Sequence, residues 1–246
     1  MSALIGTAGW AIPAIDRVSF PEDGTALQRY AAVMPCLEVN SSFHRPHRRA
    51  IWERWAASVP DGFRFSAKIP KEISHIRRLV DATEALDRFL AEAGGLGSKL
   101  SVILLQLPPS LAFDASVVSS FLAAASSRTE TRIVCEPRHA SWFTRGADAL
   151  LVDHEVARVV ADPAAVSDAA KPGGSRGLTY RRLHGSPVMY RSAYGEERLR
   201  CYASEIVADL AAERPTWCMF DNTASSAALG DALNLIRLLA SSSLER

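Results

Sequence analysis

The chain has 246 residues, 48% hydrophobic and 22% charged, with a formal net charge of +1. A chain this long buries enough apolar surface to need neither a disulfide framework nor a structural metal, and its balanced charge argues against a protein that works mainly through nucleic acid or an acidic membrane. The four cysteines, Cys36, Cys135, Cys201 and Cys218, form no Cys-x-x-Cys pair; this removes zinc-knuckle and thioredoxin-like readings and suits a reducing compartment.

Apolar runs recur along the chain at intervals of roughly 20 to 37 residues, about the size of a βα unit. The first covers residues 3–6 and the second 36–40. A helical stripe of Ile51, Trp52, Trp55 and Val59 follows. Further strands are expected over 63–68, 100–107, 132–136 and 157–161, all rich in β-branched or aromatic residues. Between the sixth and seventh runs, 164–171 is short and leads into Pro172, Gly173, Gly174 and Gly177, so that helix is expected to be absent or a single turn. The seventh strand is expected over 179–184, and Leu199, Tyr202, Ala203, Ile206 and Leu210 then mark a half-buried helix. The eighth strand covers 217–221, and Ala228, Ala232, Leu235, Ile236 and Leu239 mark the last helix. Near-continuous hydrophobicity in the strands suits parallel strands buried on both faces. Eight runs alternating with helices predict an α/β fold, a single (β/α)8 barrel domain of the TIM type over residues 1–246. No basic leader precedes the first strand and no apolar run is long enough to span a bilayer, so a cytoplasmic location is expected.

In such a barrel the carboxyl ends of the strands build the site. Those positions carry Trp10, Glu38, Asn40, Phe43, Lys68, His75, Gln106, Glu136, Arg138, His139, Trp142, Asp162, Arg182, His184, Asp221 and Asn222. Strand alternation puts Glu38 and Asn40 on one face and Leu37 and Val39 on the other; Arg182 and His184 likewise share a face opposite Leu183. Buried charges need partners. The carboxylates of Glu38, Glu136 and Asp221 have Lys68, Arg138, Arg182 and the histidines to pair with.

Several of these segments resemble one family. They are Gly6-Thr7-Ala8-Gly9-Trp10, Glu38-Val39-Asn40-Ser41-Ser42-Phe43-His44-Arg45-Pro46, Lys68-Ile69-Pro70 with Ser74-His75, Gln106-Leu107-Pro108-Pro109, Glu136-Pro137-Arg138-His139-Ala140-Ser141-Trp142, Arg182-Leu183-His184-Gly185 and Phe220-Asp221-Asn222. Together they are similar to the YecE-like proteins, a domain-of-unknown-function family. The resemblance runs from residue 4 to about residue 239 and implies a TIM-barrel-like fold and the place of the site, but no reaction. His44 stands where the family usually has Tyr, and Asp221 where it usually has Asn; the second adds a negative charge.

The mixed-charge strand ends favour an enzyme using acid–base chemistry on a small polar, anionic metabolite of the sugar or sugar-phosphate class. Glu38, Glu136 and His184 are the candidate acid–base groups. Lys68, Arg138 and Arg182 are candidate anion contacts. Trp10, Phe43 and Trp142 either stack on substrate or wedge the loops together. Asn40, His75, Gln106, His139, Asp221 and Asn222 complete the candidate binding set, with Asn222 alternatively capping the last helix. The turn 223–226, with Gly185, Ser186 and Arg191, is a candidate phosphate grip. No dinucleotide fingerprint calls for a redox cofactor. The first alternative is a metal-dependent isomerase-like or nuclease-like barrel, with a divalent ion held by Glu38, Glu136, Asp162, Asp221 and histidines. The cations in the same space count against it. The second is a non-catalytic small-molecule or nucleic-acid-binding module, the latter opposed by the near-neutral charge.

Overall fold

A computed structural model describes residues 2–244, and the side chains of residues 2–241. The strands are β1 (Leu4–Thr7), β2 (Cys36–Val39), β3 (Arg64–Lys68), β4 (Leu100–Gln106), β5 (Arg132–Glu136), β6 (Ala157–Arg158), β7 (Val160–Asp162), β8 (Gly173–Gly174), β9 (Thr179–Leu183) and β10 (Thr216–Phe220). They form two sheets, ordered β1-β10-β9-β7 and β2-β3-β4-β5-β6-β8. Every pairing is parallel except the short β6·β8 ladder.

The sheets meet on two sides. The sixth apolar run, expected as one strand, changes partner at Val159. Its first half pairs with β5 and its second half with β9. On the opposite flank Ala8 bridges Glu38, and the Gly9 amide donates to the Glu38 carbonyl at 2.9 Å. At this second seam a Cβ on Gly6 would collide with the Cys36 carbonyl. Gly6→Ala is therefore expected to cost about 1–3 kcal/mol by forcing the seam apart, read as a lower urea midpoint with an unchanged slope.

The helices are α1 (Ala26–Ala31), α2 (Arg49–Ala57), α3 (Thr83–Ala93), α4 (Ala115–Ser126), α5 (Arg145–Asp153), α6 (Glu196–Ala211) and α7 (Ala228–Leu244). Between β7 and β9 only a 3-10 turn, Ser167–Ala170, and β8 intervene, as the Pro- and Gly-rich sequence there leads one to expect. In α6 the buried residues are Leu199, Tyr202, Ala203, Ile206 and Asp209, the stripe read from spacing with Leu210 only partly covered. α2 ends before Val59, which is buried beyond its last turn.

Alternation along the strands sorts the interior into two apolar bodies. Leu37, Val39, Phe65, Ala67, Leu105 and Leu107 face the helices. Cys36, Val102, Leu104, Val134, Tyr180, Trp217 and Met219 pack together as a second body. This inner body is a floor. On the same strand faces, one step nearer the carboxyl ends, stand Glu38, Gln106, Glu136 and Arg182.

Candidate active site

The centre of the site is Arg182 on β9. Its neighbours in sequence show why it points inward. Arg181 turns to the helix side and donates to Asp209 of α6 at 2.6 Å, whereas Tyr180, Arg182 and His184 share the other face. The Arg182 guanidinium, wholly buried, grips Glu38 with two parallel bonds, Nε to Oε2 at 3.0 Å and Nη2 to Oε1 at 2.7 Å. Nη1 donates to Glu136 Oε2 at 2.6 Å, and Nη2 also reaches Asp221 Oδ2 at 2.8 Å. One fork of donors thus serves carboxylates from β2, from β5 and from the end of β10, a geometry that a point-like ammonium could not match.

His184 closes the ring. Its Nδ1 lies 3.1 Å from Asp221 Oδ2 and its Nε2 3.1 Å from Glu136 Oε1. Both neighbours are acceptors only, so the arrangement suits an imidazolium donating twice. Burial works against that charge, but Glu136 and the two hydrogen bonds outweigh it and hold the pKa above its ordinary value. For Glu136, burial pushes the carboxyl up, and Arg182, His184 and Arg138 bring it well below the usual range. Asp221 is lowered in the same way, with Arg182 and His184 overcoming burial. Around this core, Gln106 donates to Glu136 at 3.1 Å and Arg138 Nε to the same oxygen at 2.9 Å.

Lys68 stands apart. Its side chain is buried, and among the described residues it has no hydrogen bond or ion pair. Its Nζ rests 4.1 Å from the centre of the Phe43 ring, a cation–π contact. Burial first, then Arg182, pulls its pKa down to about 8, against the partial opposition of Glu38, Asp221 and Glu136. His75 stacks edge-on against the same Phe43 ring at 4.9 Å. Burial and the charges of Lys68, Arg138 and Lys71 lower its pKa, and the Phe43 ring lies in contact with both His75 and Lys68. The Asn40 Oδ1 is buried without a hydrogen-bond partner among the described residues.

The remaining expected residues lie elsewhere. Trp142 is fully buried and donates to the Leu111 carbonyl at 2.9 Å, so it wedges the loops and cannot stack on a substrate. Trp10 packs edge-on against Trp55 at 5.2 Å, beside a cleft it shares with Thr223 and Leu229. His139 turns its Nδ1 to Ser141, 2.8 Å from the hydroxyl and 3.2 Å from the amide, and caps a local turn. Asn222 donates to Asp231 at 2.7 Å and to the Ser192 carbonyl at 2.9 Å. It fastens a loop six residues ahead of α7 and is not the helix cap. Three of the amides considered for a phosphate grip are already engaged: those of Gly185, Ala224 and Ser226 donate to Tyr194, Tyr190 and Thr223. Asp162 turns to Arg198 of α6 at 3.4 Å, away from the carboxylates it was grouped with as a metal ligand.

Three participants were not anticipated. Tyr180 donates to Glu38 at 2.9 Å and meets Ser66 at 2.7 Å; its place two residues before Arg182 was the available signal. Tyr190, on the loop after β9, accepts from Arg138 at 3.1 Å and lies edge-on to His184 at 5.5 Å. No strand period marks a loop residue.

A sequence model of the family described as "Protein of unknown function DUF72" matches residues 4–245. The chain belongs to the DUF72 family. It is 28% identical over 145 residues to the UPF0759 protein YecE of Escherichia coli K12, 58% of this chain and 51% of that protein; it therefore spans about half the length of the curated relatives it matches. A DUF72 family protein from Enterococcus faecalis V583 superposes with a TM-score of 0.78 at 17% identity, covering 97% of this chain and 96% of that one. Another from Thermotoga maritima MSB8 gives 0.77 at 22%, covering 97% and 100%. These likenesses establish a shared α/β fold with parallel sheets. Among the described residues of this DUF72 chain no helix is long and apolar enough to cross a membrane.

The raised His184 pKa makes stability depend on pH with a definite sign. Its contribution is complete below the unfolded value of about 6.5 and is lost as pH rises through the folded value. Unfolding free energy is expected to fall as pH rises above neutrality, and His184→Gln to flatten that slope, in urea titrations across a pH series. Lys68 contributes the opposite trend from about 8 upward, because its folded pKa is depressed and the unfolded state holds the proton longer. Asp221→Asn replaces one of the two anionic acceptors on His184 with a neutral amide and should shift its titration to lower pH.

Proposed function

We propose that the two sheets form one closed (β/α)8 barrel, a single domain, and that this DUF72 chain is a cytoplasmic enzyme acting on a small polar anion of the sugar or sugar-phosphate class at the strand ends. The closure reading draws on the shared sixth run and the Ala8–Glu38 bridge. One observation supports the substrate class above the rest. Three carboxylates, Glu38, Glu136 and Asp221, face Arg138, Arg182, Lys68 and a doubly bonded His184. With the imidazole charged and the Lys68 amine protonated, as it is below its pKa of about 8, the layer keeps one positive charge in excess, which an anion would neutralise.

In this reading Glu136 and His184 hold and move the proton. Lys68 and the partly exposed edge of Arg138 meet the anion. Glu38, with both oxygens engaged by Arg182 and Tyr180, holds Arg182 in place and does no acid–base work. The chemistry needs no redox cofactor. A divalent cation fits this arrangement poorly, because the Arg182 guanidinium already fills the space between the three carboxylates. Titration calorimetry with ribose 5-phosphate, related sugar phosphates and the unphosphorylated sugars tests the reading. Phosphorylated compounds are expected to bind, neutral sugars not to, and affinity to fall as salt is raised. Equal binding of both classes, or binding indifferent to salt, overturns it.

A further inference from the structure

We infer that Lys68 is a covalent catalytic residue, forming an imine with the carbonyl carbon of an anionic aldehyde or ketone; this rests on the anionic-substrate reading and deepens it. Of the 28 lysine and arginine residues only Lys68, Lys71, Lys99 and Lys171 are lysine. The other three are ordinary. Lys99 donates to the Ala56 and Val59 carbonyls, Lys171 lies 3.4 Å from Asp168, and Lys71 is exposed. Lys68 alone is buried at the strand ends, where the other basic groups with hydrogen-bonded roles are Arg138, Arg182 and His184.

Its setting is poor for holding a charge and good for freeing an electron pair. The three carboxylates that would pair with an ammonium are drawn to Arg182, Arg138 and His184. What Lys68 meets instead is the Phe43 ring. A lysine buried against an aromatic ring, with a guanidinium nearby and no carboxylate bonded to it, is held toward the neutral, nucleophilic amine.

The step balances with groups the site itself supplies. The neutral amine attacks the carbonyl carbon, a C–N bond forms, and the carbonyl π pair moves to oxygen. That oxygen takes a proton originating on the His184 imidazolium and passed through Glu136 or Asp221. The carbinolamine then expels its hydroxyl as water, with the amine's own proton relayed to it. The sum is amine plus carbonyl plus one proton, giving a protonated imine and water, and His184 is left neutral. Hydrolysis reverses each transfer, so no oxidant or reductant takes part.

Reductive trapping tests this. Full-length protein is incubated at pH 8 with glyoxylate or ribose 5-phosphate and cyanoborohydride, and the adducts are located by peptide mass mapping. At that pH about half of Lys68 is neutral, against well under one part in a hundred for an ordinary lysine near 10.4. The expected result is labelling of Lys68 at least about tenfold faster than Lys71, saturating with probe and slowed by inorganic phosphate. Labelling in order of exposure, with Lys68 last, overturns the inference, as does a Lys68→Arg variant that is labelled like the wild type. Calorimetry separates the two readings. If sugar phosphates bind but Lys68 is not trapped, the imine fails and the anion site stands. If Lys68 is trapped with no slowing by phosphate, the imine stands and the anionic reading fails.

Discussion

Arg182→Met should leave the protein largely unfolded, or folded with roughly 3–5 kcal/mol less stability, the range for removing one partner of a buried ion pair. Total stability of a domain is itself about 5–15 kcal/mol. The reason is geometric. Among the described residues Arg182 is the only side chain that touches Glu38, Glu136 and Asp221 together, and all three carboxylates are buried. Without it, Glu38 keeps Tyr180, Glu136 keeps Arg138, Gln106 and His184, and Asp221 keeps His184. Glu38 then has no positive partner within hydrogen-bond reach. Adding Glu38→Gln to Arg182→Met should restore part of the loss, because a neutral amide needs no counter-charge. Arg182→Lys should fall between, since one ammonium cannot supply the bidentate grip on Glu38 and the further bonds to Glu136 and Asp221. Chemical denaturation of the four proteins at one pH checks the order.

Lys68→Met should act in the opposite sense on stability and more severely on function. The amine is buried, and its lowered pKa means that the fold disfavours its charge. A methionine keeps the contact with Phe43 and removes that penalty, so the melting temperature should rise, by an amount on the order of 1 kcal/mol in free energy. Anion affinity should drop roughly 10- to 100-fold, the worth of a charge-assisted contact of about 1.5–3 kcal/mol. Turnover on a carbonyl substrate should vanish, because methionine has no electron pair able to form an imine. Thermal melts and calorimetry on one preparation read both effects. A variant both less stable and unchanged in binding would remove Lys68 from the account.

Period-two alternation carried much of the site. It placed Glu38 inward against Leu37 and Val39, and Arg182 and His184 inward against Leu183, as found. What it could not supply was which of several inward charges touch. Glu136 and Asp221 reach Arg182 because β5 and β10 deliver them from different sheets, and no local spacing encodes that meeting. Residues beyond the strands were read less well. Trp142 and Asn222 occupy positions that resemble site positions, yet loop packing takes one into the core and ties the other to Asp231. Tyr190 enters the cluster from a loop whose path depends on backbone bonds to His184 and Ala224. The break of the sixth run at Val159 is likewise a matter of which sheet each half finds, since its apolar character is unbroken.

The charge on His184 decides whether the strand-end layer is positive or neutral, and nitrogen NMR of the labelled imidazole reads it directly. At pH 7 both ring nitrogens should carry protons, with a titration midpoint above that of a free histidine at about 6.5 and lower in Asp221→Asn. A single neutral tautomer at pH 7, unchanged in Asp221→Asn, would leave the layer without its excess charge and contradict the anionic site built on it.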